Sequence, residues 1–173
     1  MLHTTRLRLE PMSEAHTEGM IALHADPEVL RHIGDGKPYP AEATARMVRG
    51  MAGRWPMEGF GWFALLEREG GGFVGAAALQ HMDLNPRKPM ELAWRVSPGC
   101  WGRGFATEAA AEIARFAFED LEFQAAYAVA RPANLASIRV MEKIGMTFVG
   151  VEHHWGEDLP TYRLTPGALI QPQ

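Results

Sequence analysis

The sequence predicts one mixed α/β domain spanning residues 1–173, and three observations carry that prediction. The middle of the chain is a succession of segments with the two-residue alternation, or the short apolar run, of strands. Segments with helical starts and stops lie on either side of it. Finally, two apolar strands, Glu91 to Ser97 and Ala125 to Ala130, flank an alanine-rich helix, which is the order of a parallel crossover.

Taken in order, Arg6 to Met12 alternates Leu7 and Leu9 with charges, the pattern of a half-buried strand. Ser13 is positioned as an N-cap for a helix whose Met20 and Leu23 share a face. A short helix is expected after Pro27, and another from Ala41 to Trp55, weakened by Gly50 and Gly53. Gly61 to Arg68 and Phe73 to His81, joined by the glycines at 70–72, predict a hairpin. Glu91 to Ser97 alternates Leu92, Trp94 and Val96 against Ala93 and Arg95, and Pro98 ends that strand. The helix that follows carries Ala106, Ala109, Ala110, Ile113 and Ala117 on one stripe. After Ala125 to Ala130, "NLASIRVMEKIG" reads as a helix capped by Asn134 and stopped at Gly145. "MTFVGVEHHW" and "LPTYRLT" predict two closing strands.

Composition narrows the function. A chain that is 47% hydrophobic and 22% charged has the balance of a globular protein with a substantial core. A net charge of −4 without a basic block gives no reason to expect a nucleic-acid partner. No apolar run approaches membrane-spanning length, and "MLHTTRLRLEPMSEAH" has charges where a signal peptide has its apolar region. The expected compartment is therefore the cytoplasm, with no membrane association. Cys100 is the single cysteine, so there is no intramolecular disulfide, and no Cys/His spacing predicts a metal.

The chemistry-bearing stretch is "CWGRGFATEA", in which Gly102, Arg103 and Gly104 stand between a strand and a helix. First-turn amides of a helix have no intrahelical partner and lie at the positive end of its dipole, and glycines let an anion approach them closely. The residues are not a P-loop, because no Gly-x-x-x-x-Gly-Lys-Ser/Thr occurs. Nor are they a dinucleotide fingerprint, because Thr107 stands at the third glycine. Taken alone, two glycines are equally consistent with a plain connecting turn.

"WGRGFATEA" resembles the acetyl-CoA pyrophosphate loop of the GNAT superfamily of N-acetyltransferases, written Gln/Arg-x-x-Gly-x-Gly/Ala. The resemblance is to the branch that acetylates the N-termini of ribosomal proteins (RimJ/RimL-like), with Trp101 departing from the Gln/Arg slot. "NLASIRVMEKIGMTFVG" resembles the family's second motif, in which Asn-x-x-Ser opens a helix. "MELAWRVSP" and "FALLEREGGGFVGAAALQH" resemble the strand before the loop and the central hairpin.

This resemblance implies a mixed, mostly antiparallel twisted sheet flanked by helices, with a central parallel pair splayed around the pantetheine arm. It implies acetyl-CoA as cosubstrate, without a metal, and a primary amine as acceptor, either a protein or peptide α-amine or a small molecule. The amides of Gly102, Arg103, Gly104, Phe105, Ala106 and Thr107 would bind the pyrophosphate, with Arg103 adding charge. The backbone around Trp94, Arg95 and Val96 would pair with the pantetheine, as would Asn134, and one strand amide would polarise the thioester carbonyl. Glu91 is the first candidate for the general base and His81 the second, and Ser137 is the expected proton donor to the leaving thiolate. The acceptor walls are expected from the helices between Ala15 and Trp55 and the strands around His153, with one of Trp55, Phe60, Trp62 and Phe63 a candidate lining residue. Glu108 reads as a dipole partner and Cys100 as inert. Oligomeric state stays open, homodimers being common in the family. A CoA-binding regulatory or structural protein without turnover is the alternative, and a nucleotide-binding protein a remote third reading.

Overall fold

The computed structural model of the chain describes residues 1–172. Eight strands form one sheet: β1 (Leu2–His3), β2 (Leu7–Pro11), β3 (Trp62–Glu67), β4 (Phe73–His81), β5 (Met90–Val96), β6 (Ala126–Val129), β7 (Thr147–His154) and β8 (Glu157–Leu164). Their order across the sheet is β1-β2-β3-β4-β5-β6-β8-β7. Each neighbouring pair is antiparallel except β5 with β6, which is parallel and joined at a single register pair, Glu91 opposite Tyr127. The expected splayed parallel pair is thus present at the centre of a mixed, mostly antiparallel sheet.

Strand alternation divides the apolar side chains between two faces. Leu7, Leu9, Phe63, Leu65, Leu92 and Val96 pack on α4 (Phe105–Arg115) and α5 (Leu135–Lys143). Trp62, Ala64, Ala76 and Ala78 pack on the opposite face beneath α1 (Thr17–Ala25), α2 (Pro27–Leu30) and α3 (Ala41–Glu58). The alanines of β4 leave the second face shallow enough for α1 to lie close.

Three local features differ from the sequence expectation. α3 runs on to Glu58 through Pro56, because Gly50 and Gly53 face open space and cost only their propensity. α4 is buried well beyond one stripe, since Thr107, Glu108, Ala111 and Ala114 are covered too, and it ends in a π-helical turn, Phe116–Asp120. Ser13 caps a 3-10 turn, Glu14–His16, that precedes α1, rather than α1 itself. No helix among the described residues is long and apolar enough to cross a membrane.

Candidate active site

The end of β5 enters α4 through a turn whose two glycines have φ of 72° (Gly102) and 84° (Gly104), a region that side-chain-bearing residues rarely adopt. Gly104 is the N-cap of α4, and the first intrahelical bond runs from the Glu108 amide to its carbonyl at 3.0 Å. The amides of Phe105, Ala106 and Thr107 precede that bond and are left for a ligand. Arg6 clamps this turn from behind. Its guanidinium donates to the Glu108 carboxylate at 2.6–2.7 Å and to the Arg103 carbonyl at 2.8 Å, and its amide donates to Glu108 at 2.8 Å. Burial pushes the Glu108 carboxyl up, but the Thr4 hydroxyl and the Arg6 donors outweigh it and hold it below the ordinary carboxylate range. Glu108 is therefore a tie between helix and sheet as well as a dipole partner.

The Arg103 side chain turns back to Glu67 (2.6 Å) and over the Phe105 ring (4.5 Å), half-exposed beside the turn. A surface pair of this kind is weak, and a phosphate at the turn would compete with Glu67 for the guanidinium.

Along β5, backbone direction follows the pairing with β4, in which Ser97 donates to the Val74 carbonyl at 2.9 Å and Gly75 lies opposite Val96. In an antiparallel ladder these directions alternate. Glu91, Ala93 and Arg95 thus direct their backbone groups to β4, while Leu92, Trp94 and Val96 direct theirs to the gap before β6. The expectation is accordingly corrected for Arg95, whose backbone is committed to the sheet. The Val96 carbonyl is also occupied, by the Trp101 indole N–H at 2.7 Å, leaving the Val96 amide and both Trp94 groups for a ligand.

Glu91 is buried, not a solvated strand-end carboxylate. Its Oε2 accepts from Gln80 Nε2 at 2.9 Å and its Oε1 from Trp155 Nε1 at 3.1 Å. Burial raises its pKa above the ordinary carboxylate range, and the Gln80 and Trp155 donors only partly offset that. Trp155 is held in place by Asp83, which accepts its backbone N–H and also binds Lys88. Neither Trp155, at a turn with φ 55°, nor Asp83, at φ 54°, announces itself in the sequence.

On α5, Asn134 Oδ1 accepts the Ser137 amide at 3.2 Å as an N-cap, which leaves the Asn134 Nδ2 donors free of that role. Arg95 sends its guanidinium over the Trp62 ring (5.0 Å) to His24 Nε2 (2.7 Å). Burial and the Arg95 charge push His24 down to about 4.

One cleft of about 940 Å³ joins these groups: Glu91, Trp94, Arg95 and Val96, the turn at Gly102 and Gly104, Phe105 to Thr107, Asn134 and Ser137 all line it. Cys100 lines it as well. His81 does not; its Nδ1 faces the Lys88 carbonyl at 3.2 Å and it borders a separate depression with Arg54 and Glu58. His153 is exposed against Asp158; the last hairpin reaches the cleft instead through Trp155 at its turn and Glu157 and Leu159 on β8. Of the four aromatics singled out in the sequence, Trp62 lines the cleft. Among the described residues no cluster of His, Cys, Asp or Glu is placed to hold a metal ion.

The profile of the acetyltransferase (GNAT) domain matches residues 6–147. A curated relative, the FsC-acetyl coenzyme A-N(2)-transacetylase of Aspergillus fumigatus, is 34% identical over 156 residues, covering 86% of this chain and 65% of that protein. The chain thus spans just under two thirds of that relative's length. Among solved structures, an acetyltransferase of Agrobacterium tumefaciens superposes with a TM-score of 0.79 at 29% identity, covering 94% of this chain and 92% of its own. RimL, a ribosomal L7/L12 alpha-N-protein acetyltransferase solved with coenzyme A, also gives 0.79, at 16% identity over 95% of this chain and 97% of its own, a likeness of fold.

Proposed function

The chain belongs to the GNAT acetyltransferase family, and on that premise we propose that it is an N-acetyltransferase that moves the acetyl group of acetyl-CoA onto a primary amine by direct attack. The observation that carries the proposal is a single cleft into which the α4 N-terminal amides, the unpaired edge of β5 and the buried Glu91 all open.

In this reading the amides of Gly102, Arg103, Gly104, Phe105, Ala106 and Thr107 receive the pyrophosphate, with the helix dipole behind them. Trp94 and the Val96 amide pair with the pantetheine as a strand edge would, and Asn134 Nδ2 donates to one of its carbonyls. A gap-facing β5 amide stabilises the negative charge that develops on the thioester oxygen. An amine of pKa about 8 to 10 arrives largely protonated, and Glu91, poised above the ordinary carboxylate range, accepts its proton directly or through water. The nitrogen–carbon bond then forms, and as the tetrahedral adduct collapses the nitrogen gives its second proton to Ser137 Oγ, whose own proton passes to the sulfur as the carbon–sulfur bond breaks, leaving amide and free thiol.

The acceptor class is a primary amine, a peptide α-amine or a small molecule; the name of the fungal relative, an N(2)-transacetylase, supports such chemistry. The test is steady-state release of free CoA thiol with a panel of amines and N-terminal peptides at saturating acetyl-CoA. Turnover that Glu91→Gln reduces about 100-fold, with the KM for acetyl-CoA unchanged, supports the reading. Cofactor binding without thiol release from any amine would leave a CoA-binding protein without turnover.

A further inference from the structure

We propose that Arg95 is an anion receptor in the acceptor half of the cleft, so that the acceptor is an amine carrying a carboxylate. The proposal rests on the transferase reading above and specifies its acceptor.

Arg95 and Glu91 are four residues apart on β5, so both side chains leave the same face, with their Cα atoms about 13 Å apart. The space between them is bridged by a continuous wall. The Arg95 guanidinium lies 5.0 Å over the Trp62 ring, the Trp62 indole donates to Gln80 Oε1 at 2.9 Å, and Gln80 Nε2 donates to Glu91 at 2.9 Å. All four side chains line the cleft. A cation and a proton acceptor thus stand at opposite ends of an aromatic floor.

The charge on Arg95 is left unbalanced. Of the other cations that line the cleft, Arg31 and Arg131 are paired with Glu28 and with Glu157 (2.5 Å), while Arg139 and Lys143 stand exposed on α5, where water solvates them; Arg95 is the half-buried one. Among the described residues no carboxylate lies within ion-pairing distance of Arg95. Its hydrogen-bond partner is His24 Nε2, at 2.7 Å. A guanidinium only donates, so Nε2 carries the lone pair, and the proton sits on Nδ1, which faces Thr44 Oγ1 at 3.2 Å. His24 orients the guanidinium while cancelling none of its charge, and Tyr39 packs edge-on against the imidazole at 5.2 Å. An enclosed, uncompensated cation is costly, and a ligand that brings an anion recovers that cost. The charges of the cosubstrate, its pyrophosphate and its ribose 3′-phosphate, sit at the nucleotide end, from the α4 turn outward, and its pantetheine arm is uncharged, so the anion at Arg95 comes with the acceptor. A carboxylate suits the planar fork of Arg, with two parallel N–H···O bonds.

The experiment pairs acceptors that differ only in charge. Free amino acids and ω-amino acids of increasing length are compared with their primary amides. N-terminal peptide amides with Asp or Glu second are compared with their Asn or Gln counterparts, which separates a small-molecule source of the carboxylate from a peptide one. Each is assayed by thiol release and by thermal shift in the presence of CoA. The expected result is a preference of about 10- to 100-fold in kcat/KM for the carboxylate member of one series. Arg95→Gln removes that preference, Arg95→Lys keeps part of it, and neither changes the KM for acetyl-CoA. A wild-type protein that binds acetyl-CoA but distinguishes no carboxylate from its amide, by turnover or by melt, overturns the Arg95 assignment and leaves the transferase reading intact. An absence of any acetyl-CoA effect overturns the transferase reading instead. Because the wild type alone can refute the assignment, instability of the variants does not shield it.

Discussion

Glu91 has both carboxylate oxygens engaged, one by Gln80 and one by Trp155, so its lone pairs are aimed before any substrate arrives. Burial raises its pKa, which brings it nearer the pH at which a base is useful. The ionised form is the active one, so kcat/KM is expected to fall as pH drops through a midpoint above the ordinary carboxylate range; Glu91→Gln loses that limb along with most of its rate. Trp155→Phe removes a donor to the ionised form and keeps much of the ring, so the midpoint moves further up and kcat falls about tenfold. An unchanged midpoint in Trp155→Phe contradicts the positioning role. His24 makes a separate prediction. Its folded pKa of about 4 lies below its ordinary 6.5, so the stability it contributes is complete above pH 6.5 and is lost as pH falls towards 4. His24→Gln is expected to flatten the pH dependence of the melting temperature across that window.

At the scale of the element, the anion site proposed at the α4 N-terminus depends on a carboxylate in its first turn having its charge compensated. Glu108 would repel a pyrophosphate were it not held by Thr4 and Arg6, whose guanidinium also grips the Arg103 carbonyl. Glu108→Gln is expected to cost about 2 kcal/mol at pH 7. Its folded pKa is lowered, so the stability it gives is present above the unfolded carboxylate pKa and disappears as pH falls through the folded one; wild type and variant should melt alike in strong acid. The strand-to-helix turn was legible because Gly102 and Gly104 are local signals for positive φ. The clamp was not, since Arg6 and Glu108 are 102 positions apart, one in an alternating strand and the other in a first helical turn where an acid is ordinary. Arg103 shows the same limit: nothing local announces that its side chain folds back on Glu67.

For the whole molecule, the period-two segments and the capped helices reveal the strand and helix sequence, and the alanine-rich helix between Glu91–Ser97 and Ala125–Ala130 reveals the parallel crossover. They do not reveal which residues meet across it. Trp155 reaches Glu91 from a turn 64 positions away, and Arg95 meets His24 across 71. Contacts of that kind are set by tertiary packing, which leaves no periodic trace. Trp62 shows the same limit, since an aromatic on a strand reads as core whether or not its other face borders a cleft. If this cleft receives acetyl-CoA on the α4 turn, a thermal melt with and without excess acetyl-CoA, with ATP and NAD as controls, shows it most directly. At about 100 times its Kd a ligand adds about 2.7 kcal/mol, or about 5 to 10 °C for a chain of this size. The expected result is a rise of that order with acetyl-CoA alone, abolished in Gly104→Asp, which puts a strained side chain and a negative charge on the N-cap. No rise at saturating acetyl-CoA, or an equal rise in Gly104→Asp, would contradict it.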